Sequence, residues 1–295
     1  MIGRWACAAA ILLTAPAAAQ EAPAGATPAD KRPGYTMPQT EMWDMTSDRG
    51  EVYRIFLSYP SVGEVPKDGY PVLYVLDGNA MFAGFAEARR IQEYSDVGKA
   101  IVVGVGYPTD KAYDTRRLKD FTVRLDKPAG EGQRRLVALG TGERDKFLAF
   151  LTGKLRAEIA SRYKVNPARQ SLFGHSLGGL FALHALYSRP EAFHAIVTAS
   201  PSLWWNEQAM LVQERDFTAR LAAGKIARVP RLLIVAGDRE ESIANTWDSE
   251  ALAKRLAPLS AHGVRTRSEI YVGEGHMTVP ARAMTDTLRF VATWP

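Results

Sequence analysis

The sequence is almost without cysteine: Cys7 is the only one. A chain with no second thiol forms no internal disulfide, so its stability has to come from a packed core. Histidine is scarce too, five in 295 residues, and the five are scattered without metal-ligand spacing. A metal site is therefore not expected. Long apolar runs are also missing. Trp5 to Ala15 is too short for a permanent membrane-spanning helix, and no later stretch is long enough either. Nor does one charge dominate. The 37 basic and 32 acidic residues give a net charge of +5. So mild a surplus serves solubility first; it suits an anionic small molecule better than nucleic acid. No segment repeats another.

What is present begins with a leader. Arg4 supplies positive charge, Trp5 to Ala15 an apolar stretch, and Ala17-Ala18-Ala19 an A-x-A cleavage signal. Residues 1–19 read as a secretory signal peptide cut near Gln20. The mature chain is then expected in the periplasm or secreted, with membrane contact only through an uncleaved signal. Residues 20–38, rich in Ala, Pro and Gly, read as a disordered lead-in. Residues 39–295 read as one catalytic domain. At 46% hydrophobic residues, the chain can fill a full α/β core.

Within that domain, Thr40 to Ser47 and Glu51 to Ser58 alternate around Ser47-Asp48-Arg49-Gly50, a β-hairpin signal. Pro71 to Leu76, Ala100 to Val105, Ala195 to Ala199, Arg231 to Ala236 and Ser268 to Val272 read as strands. Ala80 to Tyr94, Arg144 to Tyr163, Glu207 to Ala223, Trp247 to His262 and Ala281 to Val291 read as helices. Asp110 to Gly142 has many charges and no clear period, and is expected to run over the surface as a long excursion. A hairpin followed by alternating strands and helices predicts a mostly parallel sheet of about eight strands with helices on both faces. That is the α/β-hydrolase fold, whose reactive groups gather beyond the C-terminal strand ends.

One stretch carries the chemistry. Ser171-Leu172-Phe173 is apolar at its end, Gly174-His175-Ser176-Leu177-Gly178 is a G-x-S-x-G, and a helix-like run continues to Ser188. This predicts a nucleophile elbow. Gly174 and Gly178 remove Cβ atoms where the turn is tight, and Gly179 lets helix and sheet pack closely. The helix N-terminus then faces the Ser176 hydroxyl, where it favours developing negative charge. An elbow serine needs a base. Of the histidines, His175 is inside the elbow with its side chain expected to point away from the open side of Ser176. His184, His194 and His262 fall on helices or at a strand start. His276, in Gly273-Glu274-Gly275-His276, lies just past the last strand and is the expected base. The acid should follow the strand Arg231 to Ala236, where Asp238, Glu240 and Glu241 all qualify by position. Two backbone N–H groups should hold the oxyanion: Leu177, and Gly78 or Asn79 in the loop after Leu76.

Six segments share a further property. Leu73 to Asn79, Arg117 to Thr122, Asp145 to Leu148, Gly174 to Leu180, Ser200 to Trp205 and Glu274 to His276 together resemble the esterase D-like group of α/β-hydrolases. The likeness is strongest to its siderophore hydrolases, which cleave enterobactin-type trilactones. Two positions depart from the pattern: Met277 stands where a glycine follows the loop histidine, and Val123 where a proline follows Thr122. The resemblance implies a serine carboxylic-ester hydrolase using an acyl-enzyme, with no cofactor. It also implies an acid three residues after Gly237, which is Glu240, with Asp238 the runner-up. The implied substrate is a small-molecule ester, an iron–siderophore complex among the candidates. A ferric tris-catecholate is an anion, which arginine pairs with and stacks on. Arg89, Arg90 and Arg117, with Arg116 and Arg124 nearby in sequence, are expected to bind it, with Trp204 and Trp205 as apolar walls. Other readings are a general carboxylesterase or acyltransferase of this fold, or a non-catalytic periplasmic binding protein.

Overall fold

Alternation decides the first two strands. Thr40–Thr46 (β1) and Val52–Ser58 (β2) pair antiparallel, and alternate residues of β2 are buried, the period of a strand with one face on the core. The turn between them closes through Gly50 at φ 84° and a Glu51 N–H that donates to Ser47 Oγ at 3.1 Å. In the computed structural model, residues 35–128, 130–240 and 246–293 are described. The expected signal peptide and most of the expected lead-in lie outside them. From Gln39 onward the chain forms one compact unit.

Next come β3 (Tyr70–Leu76), α1 (Gly78–Arg90), β4 (Ile101–Gly106), α2 (Arg117–Phe121), α3 (Glu131–Ala138), α4 (Arg144–Phe150) and α5 (Arg156–Arg162). The second half runs β5 (Val165–His175), α6 (Leu177–Ser188), β6 (Ala195–Ala199), α7 (Trp205–Gln208), α8 (Met210–Ala222), β7 (Arg231–Gly237), α9 (Thr246–Leu256), β8 (Thr266–Tyr271) and α10 (Val279–Thr293). The eight strands form one sheet in the order β1-β2-β4-β3-β5-β6-β7-β8. β2 is antiparallel to β1 and β4, and every other pairing is parallel. This is the expected α/β-hydrolase sheet.

The central strands are buried on both faces, as parallel strands under two helical layers must be. On one face α1 packs beside α10, with Phe85 edge-on to Phe173 at 4.8 Å between ring centroids. On the other, α6 packs beside α2 and α8. α6 is apolar all round because it is enclosed on every side; only Ser188 at its end reaches solvent. Tyr53, Phe121, Phe147, Phe150 and Phe181 form an aromatic cluster there, with Phe147 edge-on to Phe181 at 5.2 Å.

Four helices differ from expectation: that expected over Trp247 to His262 ends at Leu256 and tightens into a 3-10 segment, Ala257–His262, around Pro258, and three others differ for local reasons. α1 stops at Arg90 instead of running to Tyr94, because the chain doubles back on itself: a Cβ at Gly98 would lie 2.3 Å from the Gln92 carbonyl oxygen. The expected Arg144 to Tyr163 helix opens into a π turn over Leu151–Leu155, a one-residue slip that re-aims the apolar face. The helix expected from Glu207 becomes regular only at Met210, since Asn206, Glu207 and Gln208 are left-handed (φ 47°, 52° and 61°). The excursion Asp110 to Gly142 contains α2 and α3.

The fold also overturns one functional expectation. Arg89 and Arg90, expected to bind substrate, are placed away from the elbow and engaged within the fold. They sit at the C-terminal end of α1, about 15 Å along the helix from Asn79 at 1.5 Å per residue. Arg89 is fully buried; its Nε–H donates to Ser58 Oγ at 3.0 Å and its Nη1–H to the Gly98 carbonyl at 3.3 Å, with Glu93 at 3.8 Å. Arg90 pairs with Glu87 at 2.7 Å. Arg89→Ala should therefore destabilise the protein by about 3 kcal/mol, because it strands buried acceptors. It should leave the ratio of kcat/KM between two ester substrates unchanged. Urea unfolding and paired kinetics test both halves.

Candidate active site

The site is built on a left-handed serine. β5 ends at His175, Ser176 has φ 58° and ψ −118°, and α6 starts at Leu177. The turn is as tight as the glycines imply: a Cβ on Gly174 would lie 2.0 Å from the Gly178 carbonyl oxygen. A Cβ on Gly179 would lie 2.9 Å from the Ala199 carbonyl oxygen. The strained backbone is tied on both sides. Ser176 N–H donates to Ala199 O at 2.9 Å, and Ser176 O accepts from Leu180 N–H at 3.0 Å and from Ser202 N–H at 3.1 Å. The Ser176 side chain stays partly exposed.

Two helix N-termini meet beside it. A Cβ on Gly178 would lie 3.3 Å from Asp77 Oδ2 and 3.5 Å from Leu76 Cβ, so the starts of α6 and α1 are neighbours. Leu177, Gly78 and Asn79 all lie in first turns, where N–H groups have no intrahelical acceptor. The Asn79 side chain is committed elsewhere: Nδ2 donates to the carbonyls of Tyr107 (2.9 Å) and Thr109 (2.8 Å), and Oδ1 accepts from Tyr107 N–H (2.8 Å). That fixes the α1 start against the chain leaving β4. Asp77, itself left-handed at φ 53°, is gripped from behind by Arg117, whose Nε and Nη2 donate at 2.7 and 2.9 Å.

Arg117 is therefore a brace and does not serve as an anion receptor, which corrects its expected role. Its guanidinium also lies over the rings of Tyr113 and Phe121. The rest of the Arg117 to Thr122 segment is structural in the same way. Asp120 is buried and accepts from the hydroxyls of Tyr107 (2.9 Å) and Tyr53 (3.2 Å), and burial pushes its carboxyl up to about 6. Thr122 Oγ1 donates to Leu118 O at 2.6 Å. Arg116 pairs with Asp114 and lies over Tyr107, whereas Arg124 is exposed and pairs with Asp126.

The expected acid and base, Glu240 and His276, come from the ends of β7 and β8. His276 Nδ1 and Glu240 Oε2 are 3.1 Å apart. The other oxygen of that carboxylate is held twice: Oε1 accepts from Gly237 N–H at 2.7 Å and from the Ser200 hydroxyl at 2.5 Å. Only Oε2 remains to face the imidazole, which orients the ring with its Nδ1 proton inward and Nε2 available. Backbone contact joins the two loops. A Cβ on Gly237 would lie 2.0 Å from Glu274 O, and Arg239 N–H donates to that same oxygen at 3.0 Å. Asp238 points elsewhere, its Oδ1 accepting from Gly273 N–H at 2.7 Å to close the turn before the histidine. Glu241 lies outside the described residues.

His175 does more than point away. Its Nε2–H donates to the His276 carbonyl at 2.8 Å, and the two rings lie 4.6 Å apart. Burial, then the nearby charges of His276 and Arg117, lowers its pKa to about 3, so it acts as a neutral donor. Of the two tryptophans, Trp205 is buried and its Nε1–H donates to Val123 O at 3.2 Å. It pins the excursion and forms no wall for a ligand. Trp204 is half-buried with its ring 5.7 Å from that of Trp205. Ser200 and Ser202 were not singled out by sequence. They lie in the Ser200 to Trp205 segment, where no residue type or spacing marks a serine for burial or for a bond to a carboxylate.

The Esterase family profile (putative esterase) matches residues 50–278 of this chain, a span that includes Ser176, Glu240 and His276. The chain belongs to that family. This esterase is 35% identical over 266 residues to the ferri-bacillibactin esterase BesA of Bacillus subtilis (strain 168), covering 87% of this chain and 90% of that protein. It is 34% identical over 284 residues to the siderophore enterobactin esterase of Emericella nidulans, covering 85% and 92%. Among solved structures, the BES protein from Bacillus cereus superposes with a TM-score of 0.81 at 32% identity, over 90% of this chain and 100% of that one. The esterase is thus a carboxylic-ester hydrolase on an α/β-hydrolase fold.

Two outcomes follow from this geometry. Glu240→Gln should lower kcat on a simple aryl ester by at least about 100-fold by losing the imidazole's orientation, while Asp238→Asn stays within about fivefold. A larger effect of Asp238→Asn would move the acid to that position. The second concerns acid stability. His175 has a folded pKa below its unfolded one, so its contribution is present above about pH 6.5 and is lost as pH falls toward 3. His175→Gln should flatten the fall of unfolding free energy between pH 6.5 and 4 by up to about 1 kcal/mol per pH unit, read from urea midpoints.

Proposed function

We propose that Ser176, His276 and Glu240 act as nucleophile, base and orienting acid, and that the ester they cleave is a lactone bond of a catecholate siderophore in the periplasm. The observation that carries the catalytic part is the divided carboxylate of Glu240, one oxygen fixed by Gly237 and Ser200 and the other left for His276 Nδ1. Ser176 Oγ attacks the ester carbonyl as His276 Nε2 takes its proton. The new imidazolium is balanced by Glu240. The oxyanion is held by the N–H groups of Leu177 and Asn79, or Gly78, at the paired helix starts, where fixed dipoles oppose its charge without reorganising. His276 returns the proton to the leaving alkoxide, and water repeats the sequence on the acyl-enzyme.

The substrate reading rests on the relatives, whose names specify ferri-bacillibactin and enterobactin. Export to the periplasm is supported by the leader-like residues 1–19. With Arg89, Arg90 and Arg117 committed to the fold, the exposed Arg124 is the remaining candidate of those arginines to meet an anionic ferric complex. The test is kcat/KM of the mature protein for ferric and iron-free catecholate trilactones against a short aryl ester. The trilactones should be preferred by at least about 100-fold, the scale that a few well-placed contacts supply. Ser176→Ala should abolish all of these activities, by more than about 1,000-fold. Equal rates on trilactone and aryl ester would leave a general carboxylesterase.

A further inference from the structure

The turn that follows β6, Ser200-Pro201-Ser202, touches both ends of the proposed triad. Ser200, left-handed at φ 45°, donates a hydrogen bond from its hydroxyl to Glu240 Oε1. Ser202 is fully buried, donates its N–H to the Ser176 carbonyl, and places its Oγ 3.2 Å from Ser176 Oγ. We propose that Ser202 is a second catalytic hydroxyl, which donates a hydrogen bond to the nucleophilic oxygen of Ser176 and stabilises it while it carries negative charge. This rests on the reading of Ser176 as nucleophile.

The direction of the bond follows from counting protons. Each hydroxyl has one proton and accepts through its lone pairs. When the Ser176 proton is directed at His276 Nε2, Ser176 Oγ can only accept from Ser202, so Ser202 is the donor. In the ground state this is a neutral hydrogen bond between hydroxyls, worth little net. As His276 withdraws the proton, charge grows on Ser176 Oγ and the same bond becomes charge-assisted and roughly twice as strong. An interaction that strengthens on the way to the transition state lowers the barrier, where one that is equal in both states does not.

The proton balance is simple. Ser202 keeps its own proton throughout. The Ser176 proton goes to His276 and then to the leaving alcohol, and the Ser176 Oγ–carbon bond forms as the ester bond breaks. In the acyl-enzyme Ser176 Oγ is an ester oxygen, a poor acceptor, and the Ser202 bond relaxes. It tightens again when water attacks and Ser176 Oγ departs with its electron pair. Both half-reactions gain from the same hydroxyl. Burial keeps water from competing for it.

The experiment compares wild type with Ser202→Ala, Ser202→Cys and Ser202→Thr, each checked for an unchanged melting temperature. Two readouts are taken: steady-state kinetics on an aryl ester, and the rate of covalent labelling by a fluorophosphonate. Ser202→Ala should lower kcat and the labelling rate together by about 10- to 100-fold, below the roughly 100- to 1,000-fold lost with an oxyanion-hole donor, with KM within about twofold. Ser202→Thr, which keeps the hydroxyl, should recover most of the loss; Ser202→Cys, a weaker donor of similar volume, should fall between. Ser202→Ala labelled within about twofold of the wild-type rate would overturn the proposal, as would all three variants losing activity equally, which marks a packing role. The parent reading fails separately: it falls if wild type is not labelled, or if Ser176→Ala still is.

Discussion

The structure depends on one close approach of backbone to backbone. Gly174 and Gly178 meet with no room for a side chain on the first, and the chain passes between them through a left-handed serine. A non-glycine residue in such a conformation costs on the order of 1–3 kcal/mol unless its surroundings impose it. Here the surroundings do. The Ser176 amide is taken by Ala199 on the neighbouring strand, and the Ser176 carbonyl by α6 and by the turn after β6. The strain is held by the part of the molecule where strands are buried on both faces and least able to relax. What results is a hydroxyl at a fixed height above the sheet edge, around which the other loops are hung.

Those loops are secured by Asn79, Arg117 and Asp120, side chains whose bonding capacity is spent within the fold before a ligand arrives. The Asn79 amide closes α1 onto the chain beyond β4. Arg117 reaches Asp77 with two parallel N–H groups, the geometry that best fixes a carboxylate. Asp120 collects two tyrosine hydroxyls and anchors the excursion to β2 and to the end of β4. Backbone N–H groups, which no side-chain rotation can redirect, are left for the reacting oxygen. The specificity of such a site is then carried by exposed rims, and its chemistry by groups that cannot move.

Much of this was legible in the sequence, and the rest was hidden for definite reasons. The strands showed because parallel strands are continuous apolar runs, and the elbow because its glycines are sterically compelled. His276 showed because its place after the last strand follows from fold order. Glu240 could be preferred over Asp238 only through likeness to known hydrolases; the Ser200 hydroxyl that helps hold its carboxylate comes from 40 residues away and leaves no local signal. The arginines misled because charge usually means exposure. Arg89 instead lies wholly inside, its Nε and Nη1 bound to Ser58 and Gly98, partners that become neighbours only when the chain folds. Ser200 and Ser202 carried no signal, since nothing marks a serine for φ 45° or for burial against another hydroxyl. The helix ends shifted where a glycine contact, a π turn or left-handed residues overrode the hydrophobic period.

The loop that carries His276 has two unlike parts. The histidine's own carbonyl is bound by His175, the residue beside the nucleophile, and Gly237 seats the Glu274 backbone against β7. Yet Val272 and Met277, on either side of it, are 86% and 63% exposed. The anchor points belong to the sheet and the flanks belong to the solvent. A side chain exchanged at either flank therefore changes what solvent meets and leaves the seat of the imidazole where the sheet has fixed it.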